Sequence, residues 1–212
     1  MINLFTSYYK DKNSERQKEI DFCLDKNISN GFIGKIYILS ETDDVPFTSN
    51  KLKIIPHKRP TFKDFFNIIN EFTKEDDINI LTNTDIFLDE TIKDVKNIIN
   101  NNMLLSLLRW EYKETPKVEI MRSDCQDTWI WLGKMKELDY SDFYLGKLGC
   151  DNRIAWEFKN KGFILRNPCS IIKTYHTHNT NIRNYKETLV GQKEHINNKD
   201  VVEKPYYYVN PI

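Results

Sequence analysis

Ile78-Asn79-Ile80-Leu81-Thr82, followed directly by Asn83-Thr84-Asp85-Ile86-Phe87-Leu88-Asp89, is the stretch on which the fold turns. INILT is mostly apolar, with Ile78, Ile80 and Leu81 falling on both faces, as a central strand covered on both sides requires. It runs into a polar group that delivers Asn83 and Asp85 two positions apart. In an extended segment residues i and i+2 face the same side. The spacing therefore predicts both side chains in the crevice at the carboxyl end of a sheet, where open α/β folds bind ligands. A carboxylate there suits a hard divalent cation holding a diphosphate. The alternative is that Asn83, Thr84 and Asp85 form only a turn, with Asp89 capping a helix that starts at Thr91.

Toward the N-terminus the pattern alternates. Asn3 to Tyr8 reads as a strand, and Ser14 as the cap of a helix through Arg16, Ile20, Cys23 and Leu24. Phe32 to Leu39 and Leu52 to Ile55 read as strands. Thr61 caps a helix whose apolar positions are Phe62, Phe65, Phe66, Ile69 and Phe72. Beyond the central stretch come a helix from Thr91 to Asn101 and a strand from Leu104 to Leu108. This alternation over the first 110 or so residues predicts an open, mostly parallel α/β sheet with helices on both faces. The remainder is less regular. Thr128 to Leu132, Phe163 to Leu165 and Ser170 to Tyr175 are strand-like, Asp151 to Lys161 is helical with Gly162 as its stop, and a polar loop follows from Asn179. With no repeat and no Gly/Ser linker, residues 1–212 are expected to form one compact domain.

Composition removes other classes. The 212 residues carry 31 Lys+Arg against 31 Asp+Glu, so the net charge is zero. General nucleic-acid and membrane-surface binders rely on excess positive charge. No apolar run approaches the roughly 18 residues of a spanning helix. The N-terminus lacks the basic-then-apolar order of a secretory signal. Cys23, Cys125, Cys150 and Cys169 are scattered without a C-x-x-C pair, which fits reduced thiols in the cytoplasm. The sequence also lacks a P-loop, a G-x-G-x-x-G after the first strand, a G-x-S-x-G elbow and an H-E-x-x-H pair.

Four further segments offer chemistry. Tyr175-His176-Thr177-His178 places two imidazoles at i and i+2, able to complete a mixed oxygen and nitrogen shell around Mn²⁺; a structural histidine is the bland alternative. GKLGCDNR, residues 146–153, brings Asp151 to a helix start after a tight glycine loop. It is read either as a cap worth about 1 kcal/mol or as a carboxylate that takes a proton from a hydroxyl. RSDCQDTW, residues 122–129, sets Gln126 and Asp127 beside Trp129, which suits sugar hydroxyls and a stacked ring, or an ordinary loop with one buried Trp. Lys58 and Arg59 precede a helix N-terminus, as a phosphate or ribose contact requires, or form a solvated turn.

Taken in order, these segments resemble a small glycosyltransferase of the GT-A type. The resemblance runs from Ile2 to about Tyr185. It rests on the opening strand, Arg59-Pro60-Thr61-Phe62, the strand ending in N-T-D-I-F-L-D, then Q-D-T-W at 126–129, G-C-D-N-R-I-A at 149–155 ahead of K-G-F at 161–163, and H-T-H at 176–178. It implies an Asp-x-Asp motif for metal and sugar nucleotide, here with Asn83 in the first place. Asp85 then contacts Mn²⁺ or Mg²⁺, Asn83 bonds ribose or a metal-bound water, and His176 or His178 adds a ligand. The acceptor-side acid of inverting members maps to Asp151, with Asp127 in reserve and Trp129, Gln126 and Arg153 on the acceptor side. If transfer retains configuration, Asp127 or Asp151 instead positions the sugar or acts as nucleophile.

The implied donor is a nucleotide-diphosphate sugar, UDP-linked as first choice, and the acceptor a glycan hydroxyl, which makes 1–110 the nucleotide-sugar-binding half and 111–212 the acceptor-side half and tail. The chain is also similar in size to compact bacterial or virus-encoded transferases, which places it in the cytoplasm of the cell or host, and equally to one domain of a larger polypeptide. Two rivals stand beside this reading. A nucleotidyltransferase has a similar sheet, but residues 8–16 lack the glycines of its N-terminal loop. A catalytically dead glycan-binding module is kept alive by Asn83.

Overall fold

The computed structural model describes residues 1–118, 122–180, 190 and 207–212. In chain order these hold β1 (Ile2–Tyr8), α1 (Ser14–Ser29), β2 (Lys35–Ser40), β3 (Leu52–Pro56), α2 (Phe62–Phe72), β4 (Ile78–Thr82), β5 (Ile86–Leu88), a 3₁₀ turn (Glu90–Asp94), α3 (Val95–Ile98), β6 (Met103–Leu108), β7 (Trp110–Glu111), β8 (Gln126–Leu132), α4 (Cys150–Asn160), β9 (Ile164–Arg166) and β10 (Thr174–His176).

Seven strands make one sheet in the order β3-β2-β1-β4-β8-β6-β9. Pairing is parallel throughout except that β8 runs antiparallel to both β4 and β6. Because β8 lies between β4 and β6, residues 1–110 and 111–212 share one sheet rather than splitting into two bodies. The open, mostly parallel α/β reading is thus what the chain adopts. Side chains alternate between the faces. Phe5, Tyr37, Leu39, Leu81, Trp129 and Trp131 pack with α2 and α4 on one side. Leu4, Ile36, Ile38, Ile80 and Ile130 pack with α1 and the 3₁₀ turn on the other. With both faces covered, all five residues of β4 are buried, and the polar Asn79 and Thr82 are hydrogen-bonded there.

Local chemistry moves some boundaries. The cap of α1 is Asn13, not Ser14: its side chain accepts from the amides of Glu15 and Arg16, each at 3.0 Å. Thr61 does cap α2, in a reciprocal box with Asp64. Asp89 caps as expected, accepting from the Thr91 amide at 2.9 Å. The helix expected from Thr91 to Asn101 is only the 3₁₀ turn plus the four residues of α3: the chain is already extended at Ile99, and Asn102, at φ 61°, turns it toward β6.

A second sheet of three strands, β5-β10-β7, stands against the end of the first. Its centre is β10, antiparallel to β5 and parallel to β7. The polar segment from Asn179 and the limit of the resemblance at Tyr185 lie for the most part outside the described residues. Among the described residues no helix is long and apolar enough to cross a membrane.

Candidate active site

The carboxyl ends of β1, β2, β4 and β6 open into a cleft of about 610 Å³, lined in part by Ser7, Tyr9, Glu41, Asn83, Asp85 and Arg109. The antiparallel β8 adds Asp127 from its start, and the loop into α4 adds residues 145–152. This is the crevice position the sequence pattern predicts.

Asn83 and Asp85 reach it by a different geometry from the one expected. The backbone turns at once after β4, with the Ile86 amide donating to the Asn83 carbonyl at 3.3 Å. The two side chains therefore diverge instead of sharing an extended face. Asn83 Nδ2 donates to Asp127 Oδ1 at 2.5 Å, and its buried Oδ1 has no hydrogen-bond partner among the described residues. Asp85 turns to the other wall. Arg16 Nη2 donates to its Oδ2 at 2.5 Å, His176 Nε2 lies 3.3 Å from the same oxygen, and His178 Nδ1 lies 3.8 Å from it.

The small sheet delivers the histidines. His176 pairs with Ile86 on one side and Glu111 on the other, and the Thr177 amide donates to the Asp85 carbonyl at 3.0 Å. Ligating atoms of Asp85, His176 and His178 all fall within 4.8 Å of one another. One carboxylate and two imidazoles on one wall of a cleft fit a single divalent ion with open positions. The nitrogens favour Mn²⁺ or another first-row ion over Mg²⁺, which prefers an oxygen shell.

Electrostatics knit the floor together. Burial alone would raise the Asp85 pKa, but His176 and Arg16 outweigh it and hold the carboxyl far below the usual range. Burial opposes a charge on His176, yet Asp85 and Glu111 push its pKa up to about 9. His176 Nδ1 lies 2.9 Å from Glu111 Oε2. Glu111 Oε1 accepts from Arg109 Nε at 2.8 Å, and Arg109 Nη1 donates to Asp127 Oδ2 at 2.6 Å. An alternating chain of charge thus runs Arg16, Asp85, His176, Glu111, Arg109, Asp127 across the cleft.

Asp151 lines the same cleft. The cap of α4 is Gly149, in the left-handed region at φ 78°, so Asp151 is not the capping residue. Its Oδ2 accepts from the Gln126 amide at 3.2 Å. Burial, then the charge of Asp127, push its pKa up to about 7. Asp127 has both oxygens occupied, by Asn83 and Arg109. Of the two acids, Asp151 is the one left to exchange a proton.

The other expected residues divide. Arg59 lines the cleft, its guanidinium 5.1 Å from the Tyr144 ring. Lys58 is exposed and does not line it. Trp129 is 1% exposed and packs edge-on to Phe62 in the core, so its ring face is closed to a sugar. Gln126 is wholly buried and donates to the Ser123 carbonyl. Arg153 is buried and paired with Glu157 at 2.9 Å. These three, expected at the acceptor, are placed in the interior. Arg16, Arg109 and Glu111 were not foreseen as site residues. For Arg16 a signal existed: it occupies a position of the otherwise apolar stripe Arg16-Ile20-Cys23-Leu24.

The fold is GT-A-like, a class in which glycosyltransferases and nucleotidyltransferases share a sheet. Among solved structures it is similar to S. aureus TarS 1-349, at 11% identity and TM-score 0.53, covering 83% of this chain and 60% of that one. It is similar to the mannosyltransferase PcManGT from Pyrobaculum calidifontis, solved with GDP-Man and Mn²⁺, at 12% identity and TM-score 0.53, covering 82% and 56%. It is also similar to 4-diphosphocytidyl-2C-methyl-D-erythritol synthase from Anaerococcus prevotii, at 9% identity and TM-score 0.51, covering 84% and 87%. The chain thus spans less than two thirds of the first two. No protein-family profile matches the sequence, and neither does any curated protein.

Proposed function

We propose that the chain is a metal-dependent glycosyltransferase. It moves a hexose-type sugar from a nucleotide-diphosphate sugar, UDP-linked as first choice, to a hydroxyl of a glycan acceptor, with inversion. The observation that carries this is the cleft itself: Asp85, His176 and His178 converge in it, and Asp151, an acid with a raised pKa, lines the same cleft.

Asp85 and the two histidines would hold Mn²⁺ or Mg²⁺, and the ion would supply Lewis-acid stabilisation of negative charge on a leaving diphosphate. Arg59 adds a second positive contact to the phosphates. Asn83, whose Oδ1 has no partner among the described residues, accepts a hydrogen bond from ribose or a bound water. Asp151 takes the proton of the acceptor hydroxyl as its oxygen bonds to the anomeric carbon and the carbon–phosphate oxygen bond breaks. Arg109 and Asn83 fix Asp127, and the charge so fixed helps keep Asp151 basic enough for that transfer. Asp85→Ala is the test. It should abolish Mn²⁺-dependent release of nucleoside diphosphate in a protein with native circular dichroism; unchanged release would remove the assignment.

The second reading is a nucleotidyltransferase, favoured by the fuller coverage of the Anaerococcus enzyme, 87% of that chain. Release of pyrophosphate rather than nucleoside diphosphate would select it. Nucleotide-sugar binding with no release of either would select the catalytically dead module.

A further inference from the structure

We propose that Glu111 is a positioning residue of the cation site, holding His176 so that its Nε2 faces the cation. This rests on reading Asp85, His176 and His178 as cation ligands. Register places Glu111 and His176 opposite each other on β7 and β10, and the Tyr112 amide donates to the His176 carbonyl at 2.9 Å, pinning the backbones. From there Glu111 Oε2 meets His176 Nδ1 at 2.9 Å. Nδ1–H is thereby engaged, and Nε2 is the nitrogen left to face Asp85. A carboxylate on the far nitrogen fixes both the tautomer and the ring plane of a ligating histidine and strengthens it as a donor.

Glu111 is itself oriented, because its other oxygen accepts from Arg109 at 2.8 Å. It does not line the cleft, and its side chain is 37% exposed. Its contact with the proposed cation ligands therefore passes through His176, and core packing gives no reason for the arrangement.

The test uses Mn²⁺ alone, titrated into the protein while the free-ion electron paramagnetic resonance signal is followed. Glu111→Ala should weaken Mn²⁺ binding by on the order of 10- to 100-fold. Glu111→Gln, whose amide oxygen still accepts from Nδ1–H, should restore most of it. Glu111→Asp keeps the charge but falls short by one methylene, and should lose affinity like Ala; it also serves if the Ala variant does not fold. Wild-type affinity in Glu111→Ala or Glu111→Asp, or a Gln variant as weak as Ala, would overturn the proposal. The ligand assignment is judged separately. If Asp85→Ala binds Mn²⁺ as tightly as wild type, the cation site itself is wrong; if it loses binding while Glu111→Ala does not, only the role of Glu111 falls.

Discussion

Arg16 Nη2 and Asp85 Oδ2 lie 2.5 Å apart across 69 residues of sequence, with side chains only 6% and 12% exposed. The pair fixes α1 to the turn after β4. Arg16 also donates to Glu19 at 2.9 Å and to the Thr177 carbonyl at 3.3 Å. One guanidinium thus ties the acid to the segment that carries the histidines.

Removing one partner of such a pair strands the other in a poorly solvated place. Arg16→Met should cost about 3 kcal/mol, read from urea unfolding. The double variant Arg16→Met/Asp85→Asn should lose less than the sum of the single changes. Additive losses would show that the two side chains do not interact energetically.

Asp151 sets a pH profile. Its pKa near 7 makes the base form dominant only above that pH, so kcat/KM should fall as pH drops through 7. Asp151→Asn should lower kcat by on the order of 100-fold or more with donor affinity intact. Loss of donor affinity instead would make it a binding residue.

The same group has an opposite signature in stability. Its folded pKa lies above the unfolded value of about 4, so between those values the folded state binds the extra proton. Stability from this group is complete below about pH 4 and is lost as pH rises through 7. Asp151→Asn should therefore be more stable than wild type at pH 8, with the gap closing toward pH 4. A gap that stays constant with pH in thermal melts would contradict the raised pKa.

Arg59 and Lys58 are neighbours with different prospects. Only Arg59 lines the cleft. Arg59→Ala should weaken nucleotide-sugar binding about tenfold, the worth of one charge-assisted hydrogen bond, and leave Mn²⁺ binding alone. Lys58→Ala should change neither, as isothermal titration would show.

Arg153 pairs with Glu157 inside the protein, over the Tyr140 ring at 4.5 Å. Arg153→Met should cost about 3 kcal/mol of stability while the KM for acceptor stays put. A raised acceptor KM in a stable variant would return Arg153 to the acceptor.

The strands of the large sheet were legible because each is a short, mostly apolar run, and β4 was placed to the residue; β5 and β7, three and two residues long, were not. The same logic misled at β8. Trp129 stands beside polar residues in sequence, yet strand alternation turns it with Trp131 into the helix-covered face. At Asn83 and Asp85 the residue types pointed to the cleft, but spacing alone does not tell a turn from an extended segment. Arg109 and Glu111 were hidden for another reason. They meet His176 only because β10 threads between β5 and β7, a pairing that no local pattern encodes.

That threading has a consequence for biosynthesis. Every strand of the large sheet precedes β10 in the chain, so a polypeptide emerging from the ribosome can assemble its entire platform before either imidazole has been added. Both imidazoles of the proposed cation site are therefore synthesised after the last strand of that sheet.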